Sequence, residues 1–170
     1  MKTTHHAILF IAVALLLNSC TISYKFNGAS IDYSTTKTIS IADFPNVAAL
    51  VYAPLSSNLS DGIRDLFQRQ TRLEQVKRGG NLELEGEITG YTLTPMAVSA
   101  DSYAAETKLT ITVKVRFTNN VAPEESFEKT YNAYQTFDAS QMLTDVQDDL
   151  CNTMITEIAD QIYNDTVAKW

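Results

Sequence analysis

The stretch KLTITVKVRF, residues 108–117, decides the fold class of this chain. Apolar and polar side chains alternate strictly along it, and the apolar ones are Leu109, Ile111, Val113, Val115 and Phe117. A period of two residues is typical of a β-strand with one buried face. The residues between them are threonines and cations, which cannot form a core. The stretch therefore predicts a sheet with one apolar and one polar face.

Residues 82–94 predict a neighbouring strand. Leu84 and Ile88 share one parity, but the next apolar residue, Tyr91, falls on the other. A one-residue bulge at Gly90 would keep all of them on the core face.

Two further segments complete the predicted sheet. The segment KTISIADF, residues 37–44, places Ile39 and Ile41 on one face. Residues 127–133 alternate in the same way and follow a turn. The sequence therefore predicts four strands.

Two segments have helical spacing instead. Leu55, Leu59, Ile63, Leu66 and Phe67 form one apolar stripe, and Leu143, Val146, Leu150, Met154, Ile158 and Ile162 form another. Ser56 or Ser57 is the expected N-cap of the first helix. Asp138 and Gln141, three residues apart, predict a capping box for the second helix, which should run to about Val167.

The order of elements is therefore strand, helix, three strands, helix. It predicts an α+β fold, in which two helices pack on one face of a four-stranded, mostly antiparallel mixed sheet. This is a two-layer α/β sandwich.

The N-terminus has the three parts of a bacterial secretory signal. Met1–His6 is polar with Lys2, residues 7–17 are all apolar, and Ser19 precedes Cys20. Eleven apolar residues span about half of a bilayer core, so the run is too short for a transmembrane helix. A small residue before cysteine, with leucine three positions ahead of it, resembles a lipobox. We therefore expect residues 1–19 to be removed and Cys20 to be the lipid anchor.

Removal of residues 1–19 defines the predicted domain organisation and charge. Residues 20–36 form a lipidated tether, and residues 37–170 form a single domain. The mature chain has 12 basic and 20 acidic residues, a net charge of −8. This balance argues against nucleic acid as a partner, because a basic face supplies most of that affinity.

The residue types present argue against an enzyme. His5 and His6 both lie in the removed segment, so the mature chain has no histidine for a nucleophile pair or a metal site. Cys151 follows Leu150 within an apolar helix face, which favours a buried core thiol over a nucleophile. We therefore expect no catalytic residues, metal or cofactor.

Charged residues on the polar sheet positions leave two alternatives open. Glu83, Glu85 and Glu87 could act as an acid/base or calcium cluster, or they could pair with Lys108, Lys114 or Arg116 on the next strand. We favour the pairing. In Lys77-Arg78-Gly79-Gly80, the glycines need only supply positive φ, and no phosphate-binding loop is indicated because a strand follows.

With these features in place, the chain resembles the LptE family of lipopolysaccharide-assembly lipoproteins. The resemblance rests on an ordered set of phrases that covers essentially the whole mature chain: FNGASI (26–31), ISIADFPN (39–46), LELEGEITGYTLTPMA (82–97), LTITVKVRFTN (109–119) and VAKW (167–170). It implies a non-enzymatic helper that plugs the outer-membrane β-barrel LptD and assists its assembly while the barrel delivers lipopolysaccharide.

The resemblance also implies a location and a ligand. Thr21 after the cysteine is compatible with outer-membrane sorting, and the domain would lie on the periplasmic side or inside the barrel lumen. Five cations are candidate contacts for lipopolysaccharide phosphates, although surface ion pairs explain them more simply: Lys77, Arg78, Lys108, Lys114 and Arg116. The alternatives are a free-standing periplasmic or surface lipoprotein that binds a ligand, and a hydrolase that uses the three glutamates.

Overall fold

A computed structural model describes residues 31–96 and 105–168. The predicted signal peptide, the Cys20 anchor and most of the tether lie outside these residues. The described residues form strand β1 (Thr38–Ile41), helix α1 (Pro54–Gln70) and strands β2 (Glu74–Val76), β3 (Leu82–Pro95), β4 (Glu106–Asn119) and β5 (Phe127–Asp138), followed by helix α2 (Leu143–Thr166). A short 3-10 helix, Pro123–Glu125, joins β4 to β5.

The sheet has five strands in the order β2-β1-β3-β4-β5, not four. β1 is parallel to both β2 and β3, and the β3–β4 and β4–β5 pairs are antiparallel. The α+β architecture is thus confirmed, but the strand count is wrong. The missed strand β2 has three residues, none of them buried. A strand this short and exposed has no alternation that a sequence pattern could detect.

The predicted bulge is confirmed. Ile88 pairs with Val113, Gly90 pairs with Thr112, and Thr89 is the extra residue between them. Tyr91 consequently returns to the core face, where it is 4% exposed. The odd-numbered apolar residues of β4 are also buried, and they belong to one core together with both helical stripes except Val146.

Both predicted helix caps are wrong. The N-cap of α1 is Ala53, and Pro54 follows at the first helical position, where its missing N–H costs nothing. Ser56 instead donates its hydroxyl to the carbonyl of Phe44 at 2.7 Å. Asp138 closes a turn ahead of α2 by accepting from the hydroxyl of Ser140 at 2.6 Å.

Residues 77–81, which we call the crossing segment, pass over β1, because β2 and β3 lie on opposite sides of β1 and run parallel to it. The crossing brings Gly80 so close that a Cβ there would lie 2.6 Å from the amide nitrogen of Ser40. Of the two glycines, only Gly79 takes a positive φ, +69°. The two glycines therefore serve different purposes, a left-handed turn and a close backbone approach.

Candidate functional site

The broadest candidate site is the side of the sheet opposite the helices, which we call the polar sheet face. The strand registers place its side chains in cross-strand rows. From one end to the other the rows are Glu85–Arg116–Glu128, Glu87–Lys114–Thr130, Gly90–Thr112–Asn132, Thr92–Thr110–Tyr134 and Thr94–Lys108–Thr136. Nothing in the described part of the chain covers these rows, and Thr92, Thr130 and Tyr134 are exposed.

Glu128 organises the charged end of the polar sheet face. It accepts from the Lys114 ammonium at 2.7 Å and from the Arg116 guanidinium at 3.4 Å. The Lys114 hydrogen bond and charge, with a smaller contribution from Arg116, hold the pKa of the Glu128 carboxyl below its usual value. Ion pairs therefore link Lys114, Arg116 and Glu128 at this end of the face, beside Glu85 and Glu87 of the same rows.

The predicted pairing of these cations with the β3 glutamates is wrong. Glu85 lies beside Arg116 and Glu87 beside Lys114 in the register, but both cations bridge to β5 instead. Among the described residues, 31–96 and 105–168, no ion pair joins Glu83, Glu85 or Glu87 to a cation. β4 lies between β3 and β5, so its cations have acids on both sides, and residue spacing alone does not say which they meet.

Neutral hydrogen-bonding groups occupy the middle of the polar sheet face. Thr112 and Thr110 lie in its central rows with Asn132 and Tyr134. Lys108 stands apart, with its ammonium 5.5 Å from the centre of the Tyr134 ring. Six residues separate it from Lys114, about 20 Å along a strand.

Lys77 and Arg78 lie elsewhere, on a cleft of about 900 Å³ between the crossing segment, β1 and β3. Arg64 of α1 closes one wall and donates to the Ile41 carbonyl at 3.3 Å and to Asp43 at 2.5 Å. Arg64 was not among the predicted site residues, because an arginine on the polar side of a helix carries no distinguishing signal. The five candidate cations therefore occupy three separate places.

Cys151 is fully buried, as predicted for a core thiol. Its thiol lies 3.9 Å from the Tyr91 hydroxyl, and Tyr91 stacks on Tyr52 with the ring centres 6.2 Å apart. Burial raises the pKa of the Cys151 thiol, so the reactive thiolate is disfavoured. This environment packs the core and does not activate a nucleophile.

The same burial predicts that stability falls at alkaline pH. Burial is the main cause that raises the pKa values of Cys151, Tyr91 and Tyr131 above their ordinary values of 9.0, 10.0 and 10.0. A group whose pKa is raised by folding stabilises the fold below its unfolded pKa and loses that effect as the pH rises. The free energy of unfolding should therefore drop by about 2 kcal/mol between pH 8 and pH 10.5 in urea titrations. Tyr131→Phe should show a shallower drop, and a flat profile would contradict the prediction.

Two further features of the described residues bear on function. They contain no group of three or more histidine, cysteine or acidic side chains placed to hold a metal ion. No helix among them has the length and apolarity needed to span a bilayer.

Comparisons with known proteins agree with this architecture. The family model LptE, described as lipopolysaccharide-assembly, matches residues 36–166. No curated protein matches the sequence.

Two solved structures, from Chlamydia trachomatis and Xanthomonas campestris, share the fold at low sequence identity. A hypothetical protein from Chlamydia trachomatis is 12% identical with a TM-score of 0.52, over 77% of this chain and 98% of that one. A protein from Xanthomonas campestris is 12% identical with a TM-score of 0.51, over 76% and 84%. A minor lipoprotein from Acinetobacter baumannii is 14% identical with a TM-score of 0.47, over 75% and 89%.

Proposed function

Because this chain belongs to the LptE family of lipopolysaccharide-assembly proteins, we propose that it is a non-enzymatic plug and assembly partner of the outer-membrane barrel LptD. The domain would be held at the inner leaflet of the outer membrane by lipid on Cys20, and would occupy the barrel lumen or its periplasmic mouth.

The polar sheet face is the observation that carries this proposal. The interior of a large outer-membrane barrel is polar, so a plug must present hydrogen-bonding groups and not an apolar surface. Thr110, Thr112 and Asn132 supply neutral donors and acceptors at the centre of the face. Lys114 and Arg116 already share the Glu128 carboxylate, and Glu85 and Glu87 lie beside them, so a partner that covers that end would have to donate hydrogen bonds to these two glutamates, which form no ion pair among the described residues.

The predicted lipid anchor supports the same proposal. Residues 20–36 form a short connection between Cys20 and the domain. Attachment to the membrane that holds the barrel raises the effective concentration of each partner for the other. A polar interface of modest affinity would then suffice to keep the domain bound to the barrel.

Direct contact with lipopolysaccharide is the finer part of the proposal. Lys77, Arg78 and Lys108 are the better phosphate donors among the five candidates, because none of them forms an ion pair within the described ranges. Lys114 and Arg116 would have to exchange Glu128 for phosphate. The acidic mature chain disfavours long-range attraction, so contact would depend on these local donors.

Photocrosslinking in cells tests the barrel proposal. A photoreactive amino acid at Thr112 should capture a β-barrel of the outer membrane, because Thr112 lies at the centre of the polar sheet face. The same amino acid at Gln68, exposed on α1, is the matched control and should capture much less. Equal capture, or no capture at Thr112, would contradict the proposal.

Digestion of the domain by protease added to intact cells would point to the alternative, a free-standing surface lipoprotein. A lumenal or periplasmic domain should resist that treatment until the outer membrane is opened.

A further inference from the structure

The free edge of β5 is a second candidate binding surface, distinct from the polar sheet face. All twelve residues Phe127–Asp138 pair with β4 in unbroken register, and no described strand pairs with the other side of β5. Sheet edges are usually protected by shortness, proline or bulges. The opposite outer strand, β2, has only three residues. β5 is long and contains neither a proline nor a bulge.

The hydrogen bonds identify which backbone groups of β5 point outwards. The Ala139 amide donates to the Ala105 carbonyl at 2.9 Å, and this pair continues the β4–β5 register. Hydrogen-bonded pairs alternate in an antiparallel ladder, so the odd-numbered residues of β5 face β4. The even-numbered residues from Glu128 to Thr136 therefore direct their N–H and C=O groups outwards, about 6.8 Å apart.

Helix α2 flanks this edge with a polar stripe. Gln161 donates to the Asn132 carbonyl at 3.5 Å and to the Glu157 carboxylate at 3.3 Å. One helical turn further on, Asp165 accepts from the Lys129 ammonium at 2.5 Å. Glu157, Gln161 and Asp165 are spaced four residues apart and thus share one helix face. The charge of Lys129 could protect the edge from pairing with another strand, but its ammonium forms an ion pair with Asp165.

We propose that the free edge of β5 binds an extended, antiparallel strand of another polypeptide, with lysine or arginine at alternate positions. The outward N–H and C=O groups of Thr130, Asn132 and Tyr134 would supply the backbone ladder. The basic side chains of the added strand would face exposed Glu157 on α2, and its other side chains would extend the polar sheet face. The proposal uses a sheet edge and not the sheet face, so it does not depend on the identity of the barrel.

Amide hydrogen exchange on the full lipidated chain in detergent tests the proposal. The probe is a synthetic ten-residue peptide of alternating threonine and lysine. Before addition, odd-numbered β5 amides should be protected and the amides of Thr130, Asn132 and Tyr134 should exchange quickly. Addition should slow these even-numbered amides at least tenfold. A peptide with glutamate in place of lysine should protect them far less, because Glu157 would repel it.

A pair of variants separates backbone pairing from side-chain contact. Asn132→Pro removes one outward N–H but no bond of the β4–β5 ladder, a position that an edge strand tolerates. It should weaken peptide binding about tenfold, whereas Asn132→Ala keeps the amide and should bind almost as the parent does. Protection of the odd-numbered amides in both variants would show that the fold is intact.

Four results would overturn the proposal. The peptide could leave the even-numbered amides unprotected, or bind both variants equally. The even-numbered amides could be protected without peptide and released by deletion of residues 21–30, which would make the chain's own N-terminal segment the occupant. They could also lose protection on dilution, which would make the occupant a second copy.

Discussion

Gly80→Ala should lower the free energy of unfolding by about 3 kcal/mol, whereas Gly79→Ala should lower it by about 1 kcal/mol. A Cβ on Gly80 would lie 2.5 Å from the carbonyl oxygen of Leu82, 2.6 Å from the amide nitrogen of Ser40 and 2.9 Å from the carbonyl carbon of Ile39. All three atoms belong to the backbone of β1 or of the residue that opens β3. No side-chain rotation can therefore relieve the overlap, and the crossing segment must move away from the sheet.

Gly79 is a matched control for this prediction. It precedes Gly80 in the same segment, but a Cβ there meets nothing within 4 Å. Gly79→Ala lowers stability only through the φ of +69°, a conformation that alanine adopts with modest strain. Urea unfolding of a soluble form of residues 21–170 would compare the two. Equal destabilisation, or a larger effect at Gly79, would contradict the close crossing over β1.

The crossing segment also contains a feature that the sequence could not predict. The pair Gly79-Gly80 indicated a turn and a positive φ, but the need for a glycine at position 80 arises from contact with β1, forty residues earlier. Contacts between distant segments leave no local pattern. The long strands and both helices could be predicted because burial of one face imposes a period on their own residues.

The candidate site was also predictable only where it follows from the period of a single strand. The alternation of residues 108–117 predicted a polar sheet face. Successive side chains of a strand point to opposite faces, so the polar side chains point outwards wherever their apolar neighbours point into the core. The ion pairs on that face could not be predicted, because Glu128 was not recognised as a neighbour of Lys114 and Arg116. Strand order and register decide which carboxylate a cation meets, and neither is a property of one segment. Arg64 was missed because an arginine on the polar side of a helix carries no distinguishing signal.

Cys20→Ser should abolish the incorporation of palmitate into this protein, whereas Cys151→Ser should leave it unchanged. The expected lipid acceptor is the thiol of Cys20, which follows Ser19 at the end of the apolar signal segment. A serine hydroxyl cannot replace it, because the modification uses a sulfur nucleophile. The variant should also keep residues 1–19, since cleavage of a lipoprotein signal follows lipidation. Cells grown with labelled palmitate, and the intact mass of the purified chain, measure both effects.

Cys151→Ser is the matched control because the chain has only these two cysteines. Cys151 is fully buried, so its replacement should cost about 1 kcal/mol of stability or slightly more without changing the label. Label that survives in Cys20→Ser, or disappears in Cys151→Ser, would contradict the predicted anchor. Crosslinking from Thr112 should weaken in Cys20→Ser, because loss of the tether lowers the effective concentration of the barrel. Unchanged crosslinking would mean that the polar sheet face binds the barrel tightly enough without the lipid.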